Sequence, residues 1–171
     1  MLGELPALVS GWLRIARRLV ARRGRPPVGD AERLAEAQRL YEDVRPGLGG
    51  APELTAWELL ESRQPTDIVV DVRSDVERAV SMIPGAIPLA ELDRQAARGR
   101  RVIVYCTIGW RSGHEVNRLR RFGLDVHNLS GGVLVWTHAG GTLTRDGVAV
   151  RDVHVYGAPW SFARSDFTAV W

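Results

Sequence analysis

Hydrophobic residues follow one period at the start of the chain and another further on. Leu5, Leu8, Val9, Trp12, Ala16, Leu19 and Val20 recur at spacings of three and four, which marks one apolar helical face. Arg14, Arg18 and Arg22 lie opposite, so residues 1–22 are predicted to form a basic amphipathic helix. Gly24, Pro26, Pro27 and Gly29 break the pattern. Asp30 is placed to cap a second helix running to about Val44, with Leu34, Leu40 and Tyr41 as a thinner apolar stripe. RPGLGGAP then reads as a linker. Residues 1–50 are therefore expected to form a helical arm ahead of the main domain.

From Thr55 the character changes. TAWE is a capping-box sequence for a short helix through WELLESR. IVVDVR and, about thirty residues later, RVIVYC are apolar without alternation, as strands of a sheet covered on both faces are. SDVERAV and LAELDRQAARG between them are helical in composition. A helix from Ser112 to Phe122 stopped by Gly123, a strand at LDVHNLS and a short helix at VLVWTHAGG follow. Strands alternating with helices predict a parallel α/β sheet over residues 51–142. Beyond it, TLTR, Asp146-Gly147, VAVR and VHVY alternate and read as a hairpin turning at Asp-Gly. The aromatic tail APWSFARSDFTAVW completes a C-terminal part over 143–171. The tail is expected to pack on the domain, while a homodimer contact and a cover over a site stay open.

Composition narrows the classes. The 171 residues carry a net charge of +3, and every cation is an arginine. This reads as codon usage, so no nucleic-acid partner is expected. The basic face of residues 1–22 suits a membrane surface or a partner, although packing on its own domain is the expected outcome. A single cysteine allows neither an intramolecular disulfide nor a cysteine-based zinc site, which suits a reducing cytoplasm. The four histidines are spread out, so no metal is expected. No run approaches the roughly 20 apolar residues of a membrane span. The first residues faintly resemble a signal sequence, but Glu4 precedes the apolar run, arginines interrupt it and no small-residue cleavage site follows, so they are read as mature protein.

The candidate chemistry lies where RVIVYC meets CTIGWRSG. Cys106 ends an apolar strand, Thr107 to Arg111 form a loop, and a helix begins near Ser112. Such a turn aims backbone N–H groups and the positive end of a helix dipole at the loop. A thiolate is stabilised there as a nucleophile. Gly109 lets the backbone turn, Arg111 offers a fork of donors for an oxyanion, and Ser112 with Glu115 forms a second capping-box sequence. A lone cysteine on an apolar strand is usually structural; the Gly, Arg and Ser that follow reverse that expectation. Asp71 and Arg73 close another buried strand, at the rim where parallel sheets bind ligands. Arg73 can reach the loop or pair with Asp71, Asp75 or Glu77, and both readings stay open.

DVR, Glu77, IPGAIPL, VIVYC, C-x-x-G-x-R-S and GGVLVW, in that order over roughly residues 52–142, resemble the rhodanese family. The resemblance implies a rhodanese-like five-stranded parallel sheet flanked by helices, and a sulfurtransferase in which Cys106 carries a persulfide between two half-reactions. Thr107, Ile108, Gly109, Trp110, Arg111 and Ser112, with Arg73, would bind the anion, supported by Asp71. The implied partners are a small sulfur donor and a thiol or protein acceptor, with no metal or organic cofactor. The six residues from Cys106 to Arg111 match the family's sulfurtransferases, whereas its phosphatases have longer loops. Ser81-Met82 replaces the usual Gly-His before IPGA. Thr107 and Ile108 are uncharged where thiosulfate-using relatives carry basic residues, which makes thiosulfate a poor donor, and Trp110 suits an organic or protein thiol. A cysteine phosphatase or arsenate reductase, and a non-catalytic module binding a partner through Trp110, the first helix and the tail, are the rival expectations.

Overall fold

A computed structural model describes residues 27–171. The helix expected over residues 1–22, with its membrane or partner contact, lies outside the described residues. The predicted parallel sheet is present, with five strands: β1 (Glu53–Leu54), β2 (Ile68–Asp71), β3 (Ile87–Pro88), β4 (Arg101–Tyr105) and β5 (Asp125–Leu129). Their order is β1-β5-β4-β2-β3, all neighbours parallel. Val70 sits opposite Val104, and Asp71 opposite Tyr105. Val69, Val70, Val102, Ile103 and Val104 are all buried, so successive side chains on both faces meet packed helices, which is why these strands lack alternation.

Helix α1 spans Asp30–Val44, α2 Ala56–Ser62, α3 Asp75–Val80, α4 Trp110–Arg120 and α5 Gly132–His138. Two are started by local sequence alone. Thr55 Oγ1 accepts the Glu58 N–H at 3.2 Å while Glu58 accepts the Thr55 N–H at 2.8 Å, and Ser74 and Glu77 repeat the exchange at the head of α3. Each satisfies N–H groups that a helix leaves orphaned.

Elsewhere tertiary contacts change the sequence expectation. Gly29, not Asp30, occupies the N-cap of α1. The Asp30 carboxylate instead accepts the Ser165 N–H at 2.7 Å and the Ser165 hydroxyl at 3.1 Å. RPGLGGAP does not behave as a linker, because Arg45–Leu48 forms a 3-10 turn. Its buried Leu48 lies over Gly113 of α4, where a Cβ would come within 2.6 Å of Leu48 Cδ1. Asn117 ties the turn down by donating to the Leu48 carbonyl at 2.6 Å. Ala37, Leu40, Tyr41, Val44 and Leu48 thus belong to the same core as the sheet. LAELDRQAARG yields a 3-10 turn at Leu89–Glu91 and no α-helix. Asp93 accepts the N–H groups of Gln95 and Ala96, a local alternative that competes with helix formation.

The hairpin of β6 (Leu143–Arg145) and β7 (Val148–Val150) turns at Asp146-Gly147, with φ of 51° and 78°, as a type I′ turn requires. VHVY does not continue it. Strand β8 (Asp152–His154) pairs in parallel with β9 (Thr168–Val170) from the chain's last residues. This C-terminal part docks on Ser81 and Met82: the Ser81 hydroxyl donates to the Asp152 carbonyl at 2.6 Å, and Met82 and Thr144 exchange backbone hydrogen bonds at 2.8 Å. The tail then crosses α5, where Arg164 N–H donates to Thr137 Oγ1 at 3.0 Å. Trp160, Phe162 and Phe167 are buried, so the tail packs on the domain as expected. No described helix is long and apolar enough to cross a membrane.

Candidate active site

Strand β4 delivers Cys106 to the carboxyl edge of the sheet, and α4 begins at Trp110, two residues earlier than predicted. Gly109 is the N-cap, at φ 90°. Its N–H donates to Cys106 Sγ at 3.2 Å. A Cβ at this position would lie 2.8 Å from the Tyr41 ring and 3.2 Å from the Gly131 nitrogen, so both conformation and space demand glycine. The same peptide is pinned from behind: Asn128 Nδ2 donates to the Gly109 carbonyl at 2.9 Å and to the Tyr41 hydroxyl at 3.1 Å.

The loop carbonyls are drawn outward by α5. Val133 N–H donates to the Cys106 carbonyl at 2.9 Å, and Leu134 N–H to the Thr107 carbonyl at 3.3 Å. Gly132 permits that approach, since a Cβ there would stand 2.3 Å from the Cys106 oxygen. With its acceptors held on the far side, the loop presents donors to Sγ, the arrangement of an anion nest. The sequence held a signal for this in Gly131-Gly132, although the partner of those glycines was not readable from it.

The predicted loop residues divide by role. Ser112 does not cap α4 with Glu115; Glu115 pairs with Arg118, and the Ser112 hydroxyl donates to Cys106 Sγ at 3.5 Å. The earlier helix start places Ser112 in the first turn, beneath the sulfur. Ile108 is packed in the hydrophobic core, 3% exposed. Trp110 is half-buried and meets His114 edge-on at 5.6 Å. Cys106 itself is 1% exposed.

Arg111 is shared with Glu77. Its Nη1 and Nη2 donate to the two carboxylate oxygens at 2.8 and 2.6 Å, and Nη2 also donates to Thr107 Oγ1 at 3.2 Å. Thr107 in turn donates to Glu77 Oε1 at 3.1 Å. Glu77 therefore caps α3 and anchors Arg111 at once. Burial works to raise the Glu77 pKa, but the Arg111 guanidinium and the Ser74 N–H outweigh it and hold the group down at about 2, against an ordinary 4.5. A carboxyl depressed by folding contributes stability that is complete above the unfolded value and lost as pH falls through the folded one. Denaturant titrations across a pH series are expected to show stability falling between about 4.5 and 2, with Glu77→Gln flattening that slope.

Arg73 does not join the loop. Its guanidinium is fully buried, donating to Asp71 from Nε at 3.0 Å and Nη2 at 2.7 Å, and from Nη2 to the Ser81 carbonyl at 2.5 Å. Tyr105 completes the cluster, its hydroxyl donating to Asp71 Oδ2 at 2.5 Å. The adjacency of Asp71 and Arg73 at the strand end favours this pair over a reach to Cys106, and the two hold the β2–α3 corner. Asp71→Asn leaves the guanidinium buried without its counter-charge and is expected to cost about 3–5 kcal/mol in denaturant unfolding.

One residue near the sulfur was not anticipated. Tyr156, beyond β8, places its ring 5.3 Å from the Arg111 guanidinium carbon and edge-on to Trp160 at 5.4 Å. The contact with Arg111 brings the ring to the Cys106 loop from the C-terminal part of the chain. No local pattern marked it beyond the aromatic richness of the tail. Among the described residues no three His, Cys, Asp or Glu side chains converge as metal ligands would.

Comparison with known proteins agrees with this architecture. An uncharacterized protein of Synechocystis sp. is 34% identical over 84 residues, 46% of this chain and 47% of that protein, so the chain spans about half the length of this curated relative. A rhodanese-related protein from Thermoplasma volcanium aligns at 26% identity over 54% of this chain and 97% of its own, with a TM-score of 0.48. A thiosulfate sulfurtransferase of Pseudomonas aeruginosa aligns at 29% over 66% of this chain and 23% of its own, also at 0.48. The family model of the rhodanese-like domain matches residues 55–139, the span that holds β2 to β5 and the Cys106 loop. Over those residues the chain carries a rhodanese-like domain.

Proposed function

We propose that the protein is a sulfurtransferase whose nucleophile is Cys106. The observation that carries this is the Gly109 N–H on Sγ, in a six-residue loop whose carbonyls are held away by α5. The thiolate attacks the outer, sulfane sulfur of a donor; the donor S–S bond breaks and its electron pair leaves with the donor remainder, sulfite if the donor is thiosulfate. Cys106 then holds a persulfide. An acceptor thiolate attacks its outer sulfur, forming a new S–S bond and returning the electron pair to Cys106. No net redox change occurs, and the two steps predict ping-pong kinetics. Loop N–H groups stabilise negative charge on the sulfur in each step.

The charge balance favours a persulfide donor over thiosulfate. Arg111 has its charge matched by Glu77, and the uncharged Thr107 and Ile108 add none, so a dianion finds less compensation here than a monoanionic persulfide does. Incubation with thiosulfate and, separately, glutathione persulfide, followed by intact-mass measurement, tests the reading. A gain of one sulfur removable by dithiothreitol is expected, faster from the persulfide. No gain from either donor overturns it, and hydrolysis of an aryl phosphate that Cys106→Ser abolishes would assign the loop to phosphoryl chemistry.

A further inference from the structure

We propose that Tyr156 is the residue that sets which sulfur compounds reach Cys106, so that a segment outside the family domain supplies the selective wall of its pocket. The inference rests on the sulfur-transfer reading for its meaning, but the geometry stands by itself. The domain matched by the family ends at residue 139, yet Cys106 within it is almost wholly covered. Tyr156 reaches the loop from the C-terminal part, at Arg111. Its ring lies against Arg111 at 5.3 Å and Trp160 at 5.4 Å. The residue as a whole is 41% exposed. A side chain that meets a loop residue on one side and solvent on the other stands at the edge of the loop.

The ring is held rather than loosely placed. Its neighbour Trp160 is buried, and the β8–β9 pair on one side and the Arg164–Thr137 bond on the other fix the chain around it. The docking of β8 on Ser81 registers this segment against α3, the helix that carries Glu77. Arg111 and Tyr156 therefore form one unit, a cation on an aromatic face. Burial raises the phenol to about 12, opposed by the neighbouring Arg111 charge, so near neutral pH the wall is an uncharged hydroxyl and a ring. Such a wall admits thin, neutral or monoanionic sulfur chains and offers an apolar face to an organic thiol.

Selection by a wall is read as a ratio of rates between a small and a bulky reagent, which does not require that the cysteine ever carry sulfur. Alkylation of Cys106 by iodoacetamide and by N-phenylmaleimide, followed by intact mass on the full chain, supplies that ratio. Tyr156→Ala is expected to raise the bulky-to-small ratio by about tenfold, Tyr156→Trp to lower it, and Tyr156→Phe to leave it near the wild-type value because the ring remains. Glutathione persulfide against thiosulfate as donors should shift in the same order. Because Tyr156 is partly exposed, its replacement leaves the core intact, and unchanged melting of the Phe and Trp variants confirms folding. A ratio unmoved in both the Ala and the Trp variants overturns the proposal. Absence of any persulfide with the ratios shifted as expected would overturn the sulfur-transfer reading and leave the wall standing.

Discussion

Replacing Cys106 by serine is expected to reduce sulfur loading to background, a loss of at least about 10⁴-fold of the kind seen when a nucleophile is removed. The serine oxygen would occupy nearly the same place and would still accept the Gly109 N–H that now lies 3.2 Å from Sγ. What disappears is the chemistry: a hydroxyl with no base beside it is a poor nucleophile, and it cannot hold a sulfane sulfur as a stable S–S bond. The substitution is small and the site buried, so stability is expected to change by only about 1 kcal/mol. Intact mass after exposure to glutathione persulfide, read beside a melting curve, separates the two effects. Retained loading in a folded Cys106→Ser protein would remove Cys106 from the mechanism.

Gly132→Ala is expected to damage both the fold and the loading without touching a reactive group. Gly132 has φ of 57°, and its Cβ would fall 2.3 Å from the Cys106 oxygen and 2.6 Å from the Thr107 oxygen. Backbone atoms cannot yield as a side-chain tip does. The left-handed conformation costs an alanine about 1–2 kcal/mol, and relief of the clash adds about 1–3 kcal/mol. Relief also requires α5 to withdraw, which breaks the bonds from Val133 and Leu134 to the loop carbonyls and frees those carbonyls to turn toward the sulfur. Loading should therefore fall together with stability. Gly123→Ala is the control: its φ is 76°, but the space around it is open, so only the conformational cost of about 1 kcal/mol applies. Chemical denaturation and persulfide loading of the two variants check this. Normal loading in Gly132→Ala would mean that α5 does not shape the loop.

These two residues also show how far the sequence carries. Cys106, Gly109 and the length of the loop were legible because the geometry of a strand, a tight turn and a helix is local. The capping box at Thr55 and the Asp146-Gly147 turn were legible for the same reason. Each is completed by atoms within a few residues. Strand burial was legible too, because covering both faces of a sheet removes alternation from the sequence.

Beyond the elements misread at LAELDRQAARG and VHVY, the errors were in partners. Asp30 satisfies the same kind of N–H group that a cap would, but on Ser165. Ser112 turned to Cys106 when the helix began two residues early. Arg73 chose the carboxylate two positions back, and Arg111 took Glu77 from another helix. A charged side chain's partner is whichever opposite charge the fold brings within reach, and sequence spacing ranks such choices poorly once the chain turns a corner.

Periodicity and contiguous motifs along the chain carried the parallel sheet and the rhodanese-like resemblance. Packing alone brought α5 onto the loop carbonyls, Glu77 onto Arg111, and Tyr156 beside Arg111 from about forty-five residues downstream. Those contacts join segments whose separation along the chain leaves no period to read, and their geometry exists only once the core has packed.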